Sequence, residues 1–139
     1  MRGESKRLGN MPESLRVLIF VESRYKVNRK RIKTALSNFL TEQRINSPVE
    51  VSVAIVGDRK MRQLSKKYKG EDKTRNILSF SLSEGEKIEV PPGVMRLGDI
   101  IISYPVVITE AARDEVLVDD KIDELVVHGL MHLLGLHHE

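Results

Sequence analysis

The stretch His128-Gly129-Leu130-Met131-His132-Leu133-Leu134-Gly135-Leu136-His137-His138 carries all four histidines of the 139-residue sequence. His128 and His132 are four residues apart, and on a helix that spacing stacks two imidazoles on one face, within reach of a shared metal ion. Gly135 follows where a helix commonly ends in a left-handed turn, a conformation that glycine enters without steric cost. Such a turn folds the chain back and brings His138 towards the same ion. Three neutral imidazoles leave a fourth tetrahedral position open to water, as in a catalytic zinc centre rather than a closed structural one.

His-x3-His-x5-His with a glycine before the third ligand follows the metzincin protease pattern except at one position. Where the protease carries its general-base glutamate, directly after the first histidine, this chain has Gly129. The motif therefore speaks for a metal site and against a peptidase.

The run His-Gly-x-x-His-Leu-x-Gly-x-x-His resembles the signature of the YbeY family, bacterial metal-dependent endoribonucleases linked to ribosomal RNA maturation and ribosome quality control. Asn76-Ile77-Leu78-Ser79-Phe80 and Leu97-Gly98-Asp99-Ile100-Ile101-Ile102-Ser103 stand in the family's order and at about its spacing. The resemblance covers roughly Val49 to His138. It implies a single-strand-specific, zinc-dependent endoribonuclease with one Zn2+ per chain held by His128, His132 and His138. It also implies ribosomal RNA and the small ribosomal subunit as partners. Lys69 stands where the family usually has an arginine thought to matter for activity; lysine keeps the charge but loses the planar fork. Arg75 is a candidate to supply a guanidinium in its place, and Lys66 and Lys67 are candidate RNA contacts. His137 occupies a position where the family often has aspartate. The attacking group is either water activated by the metal or the RNA's own 2′-hydroxyl. Two other readings stand beside the nuclease: a ribosome-associated RNA-binding module with a structural metal, and a metallopeptidase.

Composition bounds the remainder. The sequence is 40% apolar and 31% charged, as in soluble globular proteins, and no apolar run approaches the roughly 20 residues that span a bilayer. It has no cysteine, and its first residues lack the apolar core of a signal peptide, so the expected location is the cytoplasm. Residues 1–80 hold 19 Lys and Arg against 8 Asp and Glu, whereas residues 81–139 hold 4 against 12. A basic half of this size suits contacts to phosphates or to folded RNA by shape. With three Phe and three Tyr, an aromatic stacking platform is not expected.

Along the chain, 1–12 reads as a basic tail and 13–139 as one domain. Leu15 to Val21 reads as a strand. Asn28 caps a helix from Arg29 to Glu42 with Ile32, Ala35, Leu36, Phe39 and Leu40 inward. Val49 to Ile55 alternates like a half-buried strand. Gly57-Asp58 opens a helix that ends at Gly70, and Asn76 to Phe80 begins a strand whose Leu78 and Phe80 are core. Ser83 to Gly93 is an exposed connection. Asp99, at the head of the Ile100–Ile102 strand, is either a turn residue or a group that orients something in the cleft. Pro105 opens a helix to about Asp114, and Asp119-Asp120 offers an N-cap for the final helix, with Ile122, Val126, Leu130 and Leu133 as its core stripe. The expected architecture is α+β: a small mixed β-sheet packed with helices, with a metal-binding helix at the C-terminal end.

Overall fold

A computed structural model describes residues 15–81 and 92–136. Among these residues four strands form one mixed sheet in the order β1-β2-β4-β3. β1 (Leu15–Val21), β2 (Val49–Val56) and β4 (Met95–Ser103) run parallel, and β3 (Ile77–Ser81) pairs antiparallel with β4. The helices are α1 (Arg29–Glu42), α2 (Asp58–Lys69), α3 (Tyr104–Asp114) and α4 (Val118–Leu133). The α+β class expected from the pattern is the one observed. The basic tail, most of the connection between β3 and β4, and His137 and His138 lie outside the described residues.

Period-2 alternation explains the main core. Val49, Val51, Val53 and Ile55 of β2 meet Ile100 and Ile102 of β4 on one sheet face. Against them pack Ile32, Leu36, Phe39 and Leu40 of α1 and Ile122, Val126 and Leu130 of α4. Each such side chain contributes about 1.5–3 kcal/mol on full burial. Asn28 Oδ1 accepts from Arg31 N–H at 3.0 Å and fixes the start of α1. The opposite face carries a smaller cluster, in which Met61 of α2 packs with Val56, Leu78 and Phe80.

Three expectations need correction. β2 is not half-buried: it lies between β1 and β4, and Glu50 on its second face is only 2% exposed. Of the two readings of Asp99, the turn fails, because β4 starts at Met95 and runs through it as continuous strand. Asp119 and Asp120 do not cap α4, whose N-cap is Leu117 with no side-chain capping bond. Asp120 and Asp123 instead receive Arg31 of α1, and their charge still complements the positive helix end.

Glu50 is buried because Arg96 answers it. Arg96 Nη1 donates to Glu50 Oε2 at 2.8 Å, and its Nη2 donates to Ser52 Oγ at 2.6 Å and Asp99 Oδ1 at 2.5 Å. Arg16 adds a contact to Glu50 Oε1 at 3.1 Å. A second staple joins α3 to α4, where Lys121 Nζ donates to Asp114 Oδ2 at 2.8 Å. Hydrogen bonds from Arg113 and then Lys121 hold the Asp114 carboxyl well below the usual carboxylate range.

Gly129 decides how α4 lies on the sheet. A Cβ there would meet Ile100 Cγ2 at 2.9 Å and Ile77 Cδ1 at 3.1 Å. The glutamate that a metzincin carries at this position has no room here.

Two stability predictions follow from these contacts. Arg96→Met leaves the Glu50 carboxylate largely unpaired in the interior and is expected to cost about 3–5 kcal/mol in urea unfolding; a loss under 1 kcal/mol would show the network to be dispensable. Gly129→Ala gains about 1 kcal/mol of helix propensity but overpacks Ile100 at about 1–3 kcal/mol. The net expectation is a lower urea midpoint, and a raised midpoint would contradict the close approach.

Candidate metal centre and catalytic cleft

α4 mounts the first two histidines. Val126 and Leu130 are buried beneath the helix, His128 is half-buried and His132 is exposed, so the pair sits where core gives way to cleft. Their rings are tilted by 55° with centroids 4.8 Å apart, and their Nε2 atoms approach to 3.2 Å. Two corners of a tetrahedron with metal–nitrogen bonds of about 2.0–2.1 Å are about 3.3 Å apart, so the two nitrogens already have the spacing of a shared zinc ion. Among the described residues no group of three His, Cys, Asp or Glu side chains gathers there. The third expected ligand, His138, lies outside them.

The expected turn after α4 is present. Gly135 has φ +75°, its N–H reaches His132 O at 3.0 Å, and Leu136 N–H reaches Met131 O at 2.9 Å. These two bonds make a Schellman end, which reverses the chain directly beyond His132.

The histidines line a cleft of about 340 Å³ at the outer edge of β3, with Lys69, Arg75, Ser79 and Ser81 on its other walls. Lys69 is the last residue of α2, and Gly70 in the left-handed region closes the helix behind it. Its position at the negative end of the helix dipole is favourable for a cation. Arg75 enters from the loop before β3, ion-paired with Glu71, and its Nε is buried without a partner among the described residues. Lys66 and Lys67 are exposed on α2 and do not line the cleft; Lys67 Nζ instead lies 5.1 Å from the Tyr68 ring centroid. Asp99 belongs to the Arg96 network and not to this wall.

No motif singles out Ser79 and Ser81, although strand alternation does. Once Leu78 and Phe80 are core on the α2 side, alternation turns 77, 79 and 81 towards α4 and the cleft. A second unread pair is Asn76 and Glu110, whose contacts of 3.1 and 3.3 Å tie the start of β3 to α3. No local pattern pairs residues 34 positions apart in this way.

The family model described as Endoribonuclease YbeY matches residues 20–139. Proteins named Endoribonuclease YbeY include one from Magnetococcus marinus, 40% identical over 98 residues, which are 67% of this chain and 67% of that protein. One from Sulfurihydrogenibium sp. is 32% identical over 133 residues, 94% of this chain and 83% of that protein. One from Syntrophus aciditrophicus is 42% identical over 90 residues, and there the match spans 65% of this chain and 55% of the relative. In fold, the chain is similar to the solution structure of TM1509 from Thermotoga maritima, with TM-score 0.58 and 24% identity over 88% of this chain and 75% of that one. The sequence match over 20–139, with relatives 32–40% identical over two thirds or more of both chains, shows that this chain belongs to the endoribonuclease YbeY family.

Proposed function

We propose that this chain is a zinc-dependent endoribonuclease that cuts single-stranded segments of ribosomal RNA during ribosome maturation and quality control, working in the cytoplasm with the small ribosomal subunit. The observation that carries this reading is the 3.2 Å approach of the His128 and His132 Nε2 atoms in a cleft that also holds Lys69 and Arg75. The paired imidazoles suit a metal, and the cations suit a phosphodiester. His128, His132 and His138 would hold the ion, which supplies Lewis acidity at a phosphoryl oxygen when bound.

The chain's own residues divide the remaining work. Lys69 brings a mobile point charge to the cleft rim, able to follow a phosphate as negative charge grows on it. Arg75, ion-paired with Glu71, places a guanidinium in the wall of the cleft. The edge of β3, which among the described residues pairs only with β4, lines the cleft with Ser79 and offers polar groups to ribose and backbone rather than to base edges. That favours single strands, whose backbone is reachable without opening a duplex. No helix among the described residues is long and apolar enough to cross a membrane. Gly129, packed against Ile100, leaves no place for the glutamate base of a metallopeptidase.

Purified protein with zinc restored is expected to bind one zinc per chain and to cleave ribosomal RNA. His132→Ala is expected to lose the zinc, read by elemental analysis, and to cut at least about 100-fold more slowly. Zinc retained by His132→Ala would refute the ligand assignment. Zinc bound by a folded wild type that leaves RNA uncut would instead favour a binding module with a structural metal. Lys69→Ala is expected to lower kcat by about 10²–10³-fold with a small change in KM, as for a group acting on charge that develops in the transition state. A change confined to KM would make Lys69 a binding residue only.

A further inference from the structure

Among the described residues the sheet has two outer edges. The cleft occupies the β3 edge, and β1 forms the other, with β2 as its only strand neighbour among the described residues. Glu22 N–H bonds Ile55 O at 3.0 Å and sets the phase of the parallel ladder. Alternate residues of a parallel strand turn both backbone groups to one neighbour. Arg16, Leu18 and Phe20 thus face β2, while Leu15, Val17, Ile19 and Val21 present N–H and C=O outward. Arg29 Nη1 takes one of these groups, Ile19 O, at 2.8 Å. The outward groups of Leu15 and Val17 have no partner among the described residues.

A groove of about 360 Å³ runs beside that open stretch. Its walls are Leu15 to Leu18 and a flank of α1 made by Lys30, Lys33, Thr34 and Ser37. These four fall at i, i+3, i+4 and i+7, a stripe next to the core face of the helix. Neither lysine pairs with a carboxylate among the described residues. On the other side of the strand Leu18 and Phe20 are 45% and 60% exposed. An added strand would therefore meet Lys30 and Lys33 on the flank of a largely apolar groove with one set of alternate side chains, and Leu18 and Phe20, beside the Glu50-paired Arg16, with the other.

We propose that the β1 edge binds an extended, acidic segment of a partner protein by strand addition. Charge chooses the occupant. A second copy would bring the same Lys30 and Lys33 to the interface, and residues 1–14 carry Arg2, Lys6 and Arg7 against Glu4 and Glu13. The site is independent of the histidine cleft at the opposite edge, so RNA cleavage serves as a control.

The test is fluorescence anisotropy with a labelled eight-residue peptide alternating Glu and Val, beside one alternating Lys and Val. The acidic peptide is expected to bind and the basic one to fail. Val17→Pro removes an outward N–H without touching the inner ladder, as edge strands tolerate. It is expected to weaken binding at least tenfold at unchanged cleavage activity. Lys30→Glu with Lys33→Glu, a surface change carrying little folding risk, is expected to do the same and to admit the basic peptide. Several results would overturn the proposal: no saturable binding up to millimolar peptide, binding indifferent to the lysine reversal, or displacement of the peptide by a single-stranded RNA oligonucleotide. A dimer seen by sedimentation and lost in Val17→Pro would assign the edge to a second copy instead.

Discussion

How closely α4 lies on the sheet governs both the fold and the site. Interiors are packed like crystals, so a helix can sink towards a sheet only where side chains leave room. Gly129 supplies that room on the helix, with Ile100 and Ile77 filling it from below. Gly98 supplies it on β4: at φ +144° a Cβ would fall 2.0 Å from Phe80 O and 2.9 Å from Leu133 Cδ2. His128 precedes Gly129 by one residue and His132 follows it by three, so the packing that seats the glycine also aims the imidazoles. A histidine pair mounted this way keeps its geometry because moving it means unpacking the core. The position that carries catalysis in a metzincin carries packing here.

The charge asymmetry of the chain is resolved differently in different places. Part of the acidic second half is taken up by ion pairs within the fold: Asp114 with Arg113 and Lys121, Asp120 and Asp123 with Arg31, Asp99 with Arg96. The lysines of α2 and of the α1 flank stay exposed. Positive potential thus collects at surfaces, one beside the histidine cleft and one beside the β1 edge, where it can steer anionic partners. The two edges of one sheet offer different chemistry, because one borders the cationic end of α2 and the histidine pair of α4 and the other an apolar strand under a lysine stripe.

Local signals in the sequence determined the strands β1 to β3, the cap and span of α1, the glycine ends of α2 and α4, and the i, i+4 histidine pair. Each depends on residues a few positions apart, where backbone sterics and helical or strand periodicity act directly. What tertiary structure alone decided are contacts between distant segments. Glu50 looked like the solvent side of a half-buried strand until Arg96, 46 residues away, made it interior. Asp120 looked like a cap until Arg31 of α1 claimed it, and Asn76 showed nothing of Glu110 on α3. Lys69 and Arg75 could be named from the chain, but whether they share a cleft with His128 and His132 depends on where α4 crosses the edge of β3. That crossing is set by the fit of Gly129 onto Ile100, a long-range steric match with no local trace in the sequence beyond a glycine in a helix.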